Sequence, residues 1–300
     1  MRTACPLFCN RHWGADMRAP TIPANWPNRS ASRHIRSGPH LWHVQDIGTG
    51  PLLLLLHGAG GATHSFRNLI PLMPGHRIIA VDLPGQGLTL LGDATRCGLD
   101  AMAADIVTLA AEQGWQPQAV IGHSAGAAIA LRLAELMPVG QVIGINAALG
   151  TFDGVAGWLF PTLARLLARL PLVPQLFSKI AGTPRQVRQL LTSTGSRIEP
   201  EGEAQYLSLL RQPNHVAGTL AMMAQWDLGP MLRRLPQQTT PCLLITAAVD
   251  RAVPASVSER AAARMPHARW TNLPRHGHLV HEEAADEVAA LITAELHGRP

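Results

Sequence analysis

The residues Gly122-His123-Ser124-Ala125-Gly126 set a serine between two glycines, directly after the apolar run Ala119-Val120-Ile121 and before an alanine-rich stretch of helical composition. A strand, a sharp turn and a helix in that order hold a serine hydroxyl exposed at the strand's end, and the glycines relieve crowding in the turn. Such a hydroxyl becomes a nucleophile when a base takes its proton and an acid orients the base. In this arrangement the acid follows the serine in the chain, and the histidine follows the acid. Asp250 stands just beyond the apolar run from Leu243 to Thr246, where a loop residue reaches the end of a strand. The stretch His276-Gly277-His278-Leu279-Val280-His281 offers three histidines after the last predicted strand. His278 follows a glycine in that loop and is read as the base; His276 and His281 are read as pocket-lining or surface residues. Upstream, His57-Gly58-Ala59-Gly60-Gly61 ends a buried strand. The backbone N–H groups of Ala59 and Ala125 are the expected donors to a developing oxyanion. Ser124, Asp250 and His278 together describe acyl transfer to water, an ester-type hydrolysis that requires neither a cofactor nor a metal.

Plainer readings compete at each point. Asp250 could be a surface aspartate paired with Arg251. The His57–Gly61 loop resembles a phosphate loop but lacks the Lys-Ser/Thr of one. The histidine triplet has the opening spacing of a zinc signature, yet Val280 stands where that signature carries aspartate. Asp82, in Asp82-Leu83-Pro84-Gly85-Gln86-Gly87, precedes the serine and reads as structural. Asp227, beside Trp226, is a weaker candidate acid.

Positioning such residues takes a sheet. Residues 1–38 read as irregular, punctuated by Pro20, Pro23 and Pro27. Strands are expected at Leu41 to Val44, Leu52 to Leu56, Arg77 to Val81, Ala119 to Ile121 and Gln141 to Asn146. Helices are expected from about Asp100 to Gly114 and from Ala125 to about Met137. Alternation with short connections predicts an α/β fold, a mostly parallel central sheet with helices on both faces. Residues 150–238 break the alternation and read as a helical cap inserted after the sixth strand. Residues 39–149 and 239–300 then form one core. Trp158, Phe160, Met222, Met223 and Trp226 make the cap's underside apolar; with His57 and Gly58 they are the expected substrate pocket. Such a lining suits a bulky hydrophobic ester or a flat macrocycle. In Leu163–Leu170 the leucines repeat at helical spacing while Arg165 and Arg169 share another face. That pattern predicts a cap helix, with peripheral membrane contact through the cap as the second reading.

Composition sets the outer bounds. Of 300 residues 47% are hydrophobic and 15% charged, ample for a large core and incompatible with disorder. The formal charge is +5, and Lys179 is the only lysine. The arginines are scattered without an aromatic-rich basic patch, so nucleic acid is not an expected partner. Four cysteines (Cys5, Cys9, Cys97 and Cys242) make no disulfide framework, which favours a cytoplasmic setting. Residues 1–16 carry no structural pattern, which points to Met17 as a start.

From about residue 40 onward the chain resembles α/β-hydrolases. The motifs are His57-Gly58, Asp82-Leu83-Pro84-Gly85-Gln86-Gly87, the Gly122–Gly126 turn, Asp250 with Pro254, and Gly277-His278 followed by Glu282. Gln86 stands where histidine is common in that family. A narrower likeness is to the magnesium chelatase accessory proteins of bacteriochlorophyll biosynthesis. It rests on Trp26-Pro27-Asn28-Arg29, His57 to Ser65, Gly122 to Ala128, Thr194-Gly195-Ser196-Arg197, His215-Val216-Ala217-Gly218 and Met222 to Leu228. The resemblance implies a tetrapyrrole-related substrate, magnesium chelatase subunits as partners, and a role near magnesium insertion into protoporphyrin IX. Two rival readings remain. One is a general carboxylesterase or lactonase without a pigment role, and the other a non-catalytic porphyrin-binding or chaperone protein on the same fold.

Overall fold

The computed structural model describes residues 18–150 and 173–298. Trp158, Phe160 and the Leu163–Leu170 stretch lie outside the described residues. Eight strands form one sheet: β1 (Ser32–Ser37), β2 (His40–Ile47), β3 (Leu52–Leu56), β4 (Arg77–Val81), β5 (Ala119–His123), β6 (Gln141–Ile145), β7 (Cys242–Ala247) and β8 (Ala268–Leu273). Their spatial order is β1-β2-β4-β3-β5-β6-β7-β8. β1 and β2 run antiparallel to their neighbours, and β3 to β8 pair in parallel.

The five leucines of β3 explain the sheet's interior. Leu52, Leu54 and Leu56 join one core cluster, while Leu53 and Leu55 join another on the opposite face. A strand buried on both faces needs this unbroken apolar run, because successive side chains point to opposite sides. The first face is covered by α1 (Leu99–Gln113) and α2 (Ala125–Leu136). The last helix (Ala285–His297) covers the second through Val288, Ile292 and Leu296. α1 starts at Leu99, with Gly98 at its N-cap and Asp100 in its first turn, and stops at Gly114 (φ 65°). Helices therefore lie on both faces of a mostly parallel sheet, as the alternation predicts.

One expectation fails. Residues 32–37, inside the stretch read as irregular, form edge strand β1, joined to β2 by a turn at Gly38 (φ 52°). Ser32-Arg33-His34-Ile35-Arg36-Ser37 contains a single large apolar residue, so it has no alternation to detect. Its pairing comes from the hairpin with β2.

After β6 the chain leaves the sheet. The described part of this excursion is helical: α3 (Val173–Ala181), α4 (Pro184–Ser193), α5 (Pro200–Leu210), α6 (Pro213–Gln225) and α7 (Gly229–Arg234). The chain then returns through β7, α8 (Ala255–Ala262), β8, the short α9 (Val280–Glu283) and α10 (Ala285–His297). α6 lies against the Asp82–Gly87 turn so closely that a Cβ on Gly218 would meet the Gly85 carbonyl oxygen at 2.1 Å. None of the described helices is long and apolar enough to cross a membrane.

Candidate active site

Ser124 joins β5 to α2 with φ 52° and ψ −116°. A positive φ on a residue with a side chain is strained and persists where its surroundings impose it. Here the Ser124 N–H donates to Ile145 O at 2.9 Å, and its carbonyl accepts from Ala127 and Ala148, each at 3.1 Å. The flanking glycines are required by contact. A Cβ on Gly126 would lie 2.2 Å from Leu56 O, and one on Gly122 would lie 2.3 Å from Gly126 O.

Asp250 and His278 arrive on the loops after β7 and β8. His278 Nδ1 donates to Asp250 Oδ2 at 2.8 Å. The other carboxylate oxygen accepts the N–H groups of Ala252 (2.7 Å) and Val253 (2.8 Å), which fixes the carboxylate plane. The Asp250 side chain is fully buried and that of His278 12% exposed. With its proton on Nδ1, the imidazole presents Nε2 as a free base. The loop is held from behind. The His278 carbonyl accepts from His123 Nε2 (2.9 Å) and Asn146 Nδ2 (2.8 Å). The His123 ring centroid lies 4.7 Å from that of His278 and 4.3 Å from that of His281. Burial, then the neighbouring His281 and His278, hold His123 well below the ordinary imidazole range, so it donates as a neutral ring.

The His57–Gly61 loop stands beside the serine: a Cβ on Gly58 would be 2.9 Å from Ser124 Cβ. Neither Ala59 N–H nor Ala125 N–H is engaged by another described residue. Gly60 N–H donates to Gln86 Oε1 at 2.7 Å, and Gln86 Nε2 donates to Met222 Sδ of α6 at 3.1 Å. Gln86 thus ties the His57–Gly61 loop to α6 of the cap. Asp82 accepts from His43 Nδ1 (2.7 Å), Thr63 N–H (2.6 Å) and Leu88 N–H (2.8 Å). Burial alone would raise its carboxyl; those contacts outweigh burial and hold it far below the usual carboxylate range. Asp82 is therefore a buried structural carboxylate that ties the turn after β4 to Thr63, just beyond the His57–Gly61 loop. Asp227 is exposed and accepts from Gly229 N–H at 2.9 Å, at the start of α7.

A family model of the alpha/beta hydrolase fold matches residues 51–285. The chain belongs to the α/β-hydrolase fold family. Over 280 residues it is 48% identical to the magnesium-chelatase 30 kDa subunit of Rhodobacter capsulatus, covering 92% of this chain and 98% of that one. The pimeloyl-[acyl-carrier protein] methyl ester esterase of Xanthomonas oryzae pv. oryzae is 31% identical over 252 residues, 82% of this chain and 95% of the relative. Among solved structures, a thermophilic esterase from Thermogutta terrifontis superposes with a TM-score of 0.71 at 21% identity, over 89% of this chain and 98% of that one. The last similarity speaks for the fold alone.

Within this α/β-hydrolase the expected pocket residues separate. Met222 is 1% exposed and faces Gln86. Trp226 packs partly buried against the main core cluster. Met223, on the same helix, is 48% exposed and so does not line a closed pocket. His57 is completely buried. Its Nδ1 donates to Gly58 O (2.7 Å) and its Nε2 accepts from Leu83 N–H (2.9 Å), so it braces the His57–Gly61 loop from within. Of the two other histidines in the triplet, His276 pairs with Glu287 at 3.1 Å, while His281 is buried against Phe66 and His123.

Three features escape sequence reasoning. Asn146 (φ 44°) spans two loops, donating to Gly277 O (3.1 Å) and His278 O while accepting Ala247 N–H (2.9 Å). Gln86 is read from sequence as a departure of no consequence to the catalytic residues. The third is a buried cluster in which Arg67 pairs with Glu282, and Tyr206 of α5 donates to Glu282 at 2.7 Å. Burial outweighs Arg67 and pushes the Glu282 carboxyl up to about 7. A polar residue after a strand is the sole local signal for Asn146; Gln86 depends on Met222, 136 positions away, and Arg67 on Glu282, 215 positions away.

Proposed function

We propose that this protein is a serine ester hydrolase of bacteriochlorophyll biosynthesis that works in support of magnesium chelatase. The observation that carries the chemistry is the strained Ser124 turn beside the Asp250–His278 pair, whose Nε2 no described residue engages. In the proposed mechanism His278 Nε2 takes the Ser124 proton as Oγ attacks an ester carbonyl. The Ala59 and Ala125 N–H groups stabilise the oxyanion, a contribution of about 2.7–4 kcal/mol per donor in such sites. Protonated His278 then gives its proton to the departing alcohol. Water, deprotonated by His278, releases the acid and restores Ser124. Asp250 keeps the imidazole in the required tautomer throughout.

The pathway reading is supported by the relative named as a magnesium-chelatase subunit, which aligns over nearly its whole length. The ester reading is supported by the relative named as a methyl ester esterase. The substrate is accordingly a hydrophobic or tetrapyrrole-related ester, and the partners are chelatase subunits. Intact-mass spectrometry after treatment with an alkyl fluorophosphonate tests the chemistry. A single adduct on the wild type, absent from Ser124→Ala, is expected; a folded wild type that takes no adduct would sink the hydrolase reading. Pigment measurement in a deletion strain tests the pathway. Restoration by wild type but not by Ser124→Ala is expected, and normal pigment in the deletion strain would leave a general esterase.

A further inference from the structure

The cap meets the loops carrying the acid and the base at one short segment, Thr194-Gly195-Ser196. Thr194 caps α4, and its carbonyl accepts two N–H groups, from Arg251 at 3.1 Å and from His278 at 3.3 Å. A single cap carbonyl thereby joins the residue after Asp250 to His278 itself. Ser196 Oγ, buried at 1% exposure, accepts the N–H of Leu279 at 2.8 Å. The Leu279 side chain inserts into the cap's own apolar cluster with Val187 and Leu191. Gly195 makes the approach close: at φ 88° its Cβ would lie 2.1 Å from Val249 O. A Cβ on Gly277, from the other side, would lie 2.3 Å from the Gly195 carbonyl carbon. Only glycine on both sides lets the strands of chain touch.

We infer that Thr194–Ser196 is a positioning clip through which seating of the cap sets the Asp250 and His278 loops, so that the cap regulates the site as well as covering it. The inference rests on the hydrolase reading above. Asp250 and His278 come from separate loops, and their 2.8 Å hydrogen bond needs those loops in register. The clip supplies that register from outside the sheet, by three hydrogen bonds and one inserted leucine. A ligand or protein that lifts this segment releases acid and base together and silences Ser124 without touching it.

Two measurements on the full-length protein test the clip. The first is the rate of Ser124 labelling by an alkyl fluorophosphonate as a function of pH. The second is the proton NMR signal of the imidazole N–H that His278 shares with Asp250, assigned by its loss in His278→Gln. Ser196→Ala removes one hydrogen bond and is expected to slow labelling roughly five- to tenfold, change the pH profile and speed exchange of the imidazole proton with water. Ser196→Thr keeps the acceptor oxygen and is expected to restore all three. Gly195→Ala, which blocks the approach, is expected to slow labelling by about a hundredfold. Leu190→Ser, at a residue 51% exposed on α4, is expected to change nothing. Should Gly195→Ala fail to fold, Ser196→Ala and its threonine rescue decide. Wild-type labelling, pH profile and imidazole proton in folded Ser196→Ala and Gly195→Ala would overturn the clip. A wild type that does not label would overturn the hydrolase reading instead, and the imidazole proton in the variants would still decide the clip.

Discussion

Lowering the pH should unfold this protein steeply and early, through its buried histidines. His57, His64, His123, His215 and His281 are all at most 4% exposed. Burial holds each of them below the ordinary value of 6.5, His215 at about 4 and His281 at about 3. A depressed folded value means that the unfolded chain takes up the proton first, so stability is full above about pH 6.5 and falls as pH drops toward the folded value. Glu282 works in the opposite direction. Its folded value, about 7, lies above the unfolded 4.5, so it favours the folded state increasingly as pH falls between them. With all five rings neutral in the fold, five histidines against one glutamate leave a net uptake of at most about four protons on unfolding. At about 1.4 kcal/mol per proton and pH unit, the limiting slope is about 5 kcal/mol per pH unit. Against a total stability of about 5–15 kcal/mol, unfolding should centre near about pH 5. That is above the range where paired carboxylates such as Asp82 begin to take up protons. Urea titrations followed by tryptophan fluorescence at successive pH values measure the slope directly. His281→Leu, which removes one of the five, should flatten it by about one proton. A stability that changes by less than about 1 kcal/mol between about pH 7.5 and 5.5 would refute the reasoning, because it would mean these rings are hydrated or already charged in the folded state.

Three further substitutions probe the site itself. Gln86→Leu leaves the Gly60 N–H without its acceptor, and should cost about 1–3 kcal/mol of stability and lower ester turnover by roughly ten- to a hundredfold as the Ala59 donor loosens; unchanged kcat/KM in a folded variant would exclude Gln86 from supporting the donor loop. Gly126→Ala forces a Cβ to within 2.2 Å of Leu56 O and should destabilise by more than about 3 kcal/mol, read by chemical denaturation or by loss of soluble protein. Asp250→Asn keeps an oxygen for the Ala252 and Val253 N–H groups but loses the charge that orients His278, so labelling of Ser124 should fall by about 10⁴-fold with little change in Tm.

The parts legible in the sequence are those whose cause is local. Five consecutive leucines announce a strand buried on both faces, and β3 is that strand. Gly122 to Gly126 announce a turn that admits no side chain, and the contacts at Leu56 O and Gly126 O supply the reason. Asp250 after an apolar run, and His278 after a glycine in the loop beyond the last strand, are legible from local context and chain order, and the structure sets their side chains 2.8 Å apart. The unread parts are those whose cause is distant. β1 exists because β2 pairs with it, and Ile35 by itself cannot signal a strand. Gln86 looks like a neutral departure until its amide is seen between Gly60 and Met222, 136 positions away in the chain. Thr194-Gly195-Ser196 stands out in the sequence as a matching segment without a task, because its task lies in a carbonyl and a hydroxyl that meet loops more than fifty residues downstream. The same logic separates Met222 from Met223. Both sit in one apolar stretch of α6, but the helix turns one toward Gln86 and the other to solvent. A cap is thus hard to read for a physical reason: its helices carry ordinary amphipathic patterns, while its effect on the chemistry passes through a few backbone contacts that any sequence with the right glycines can make.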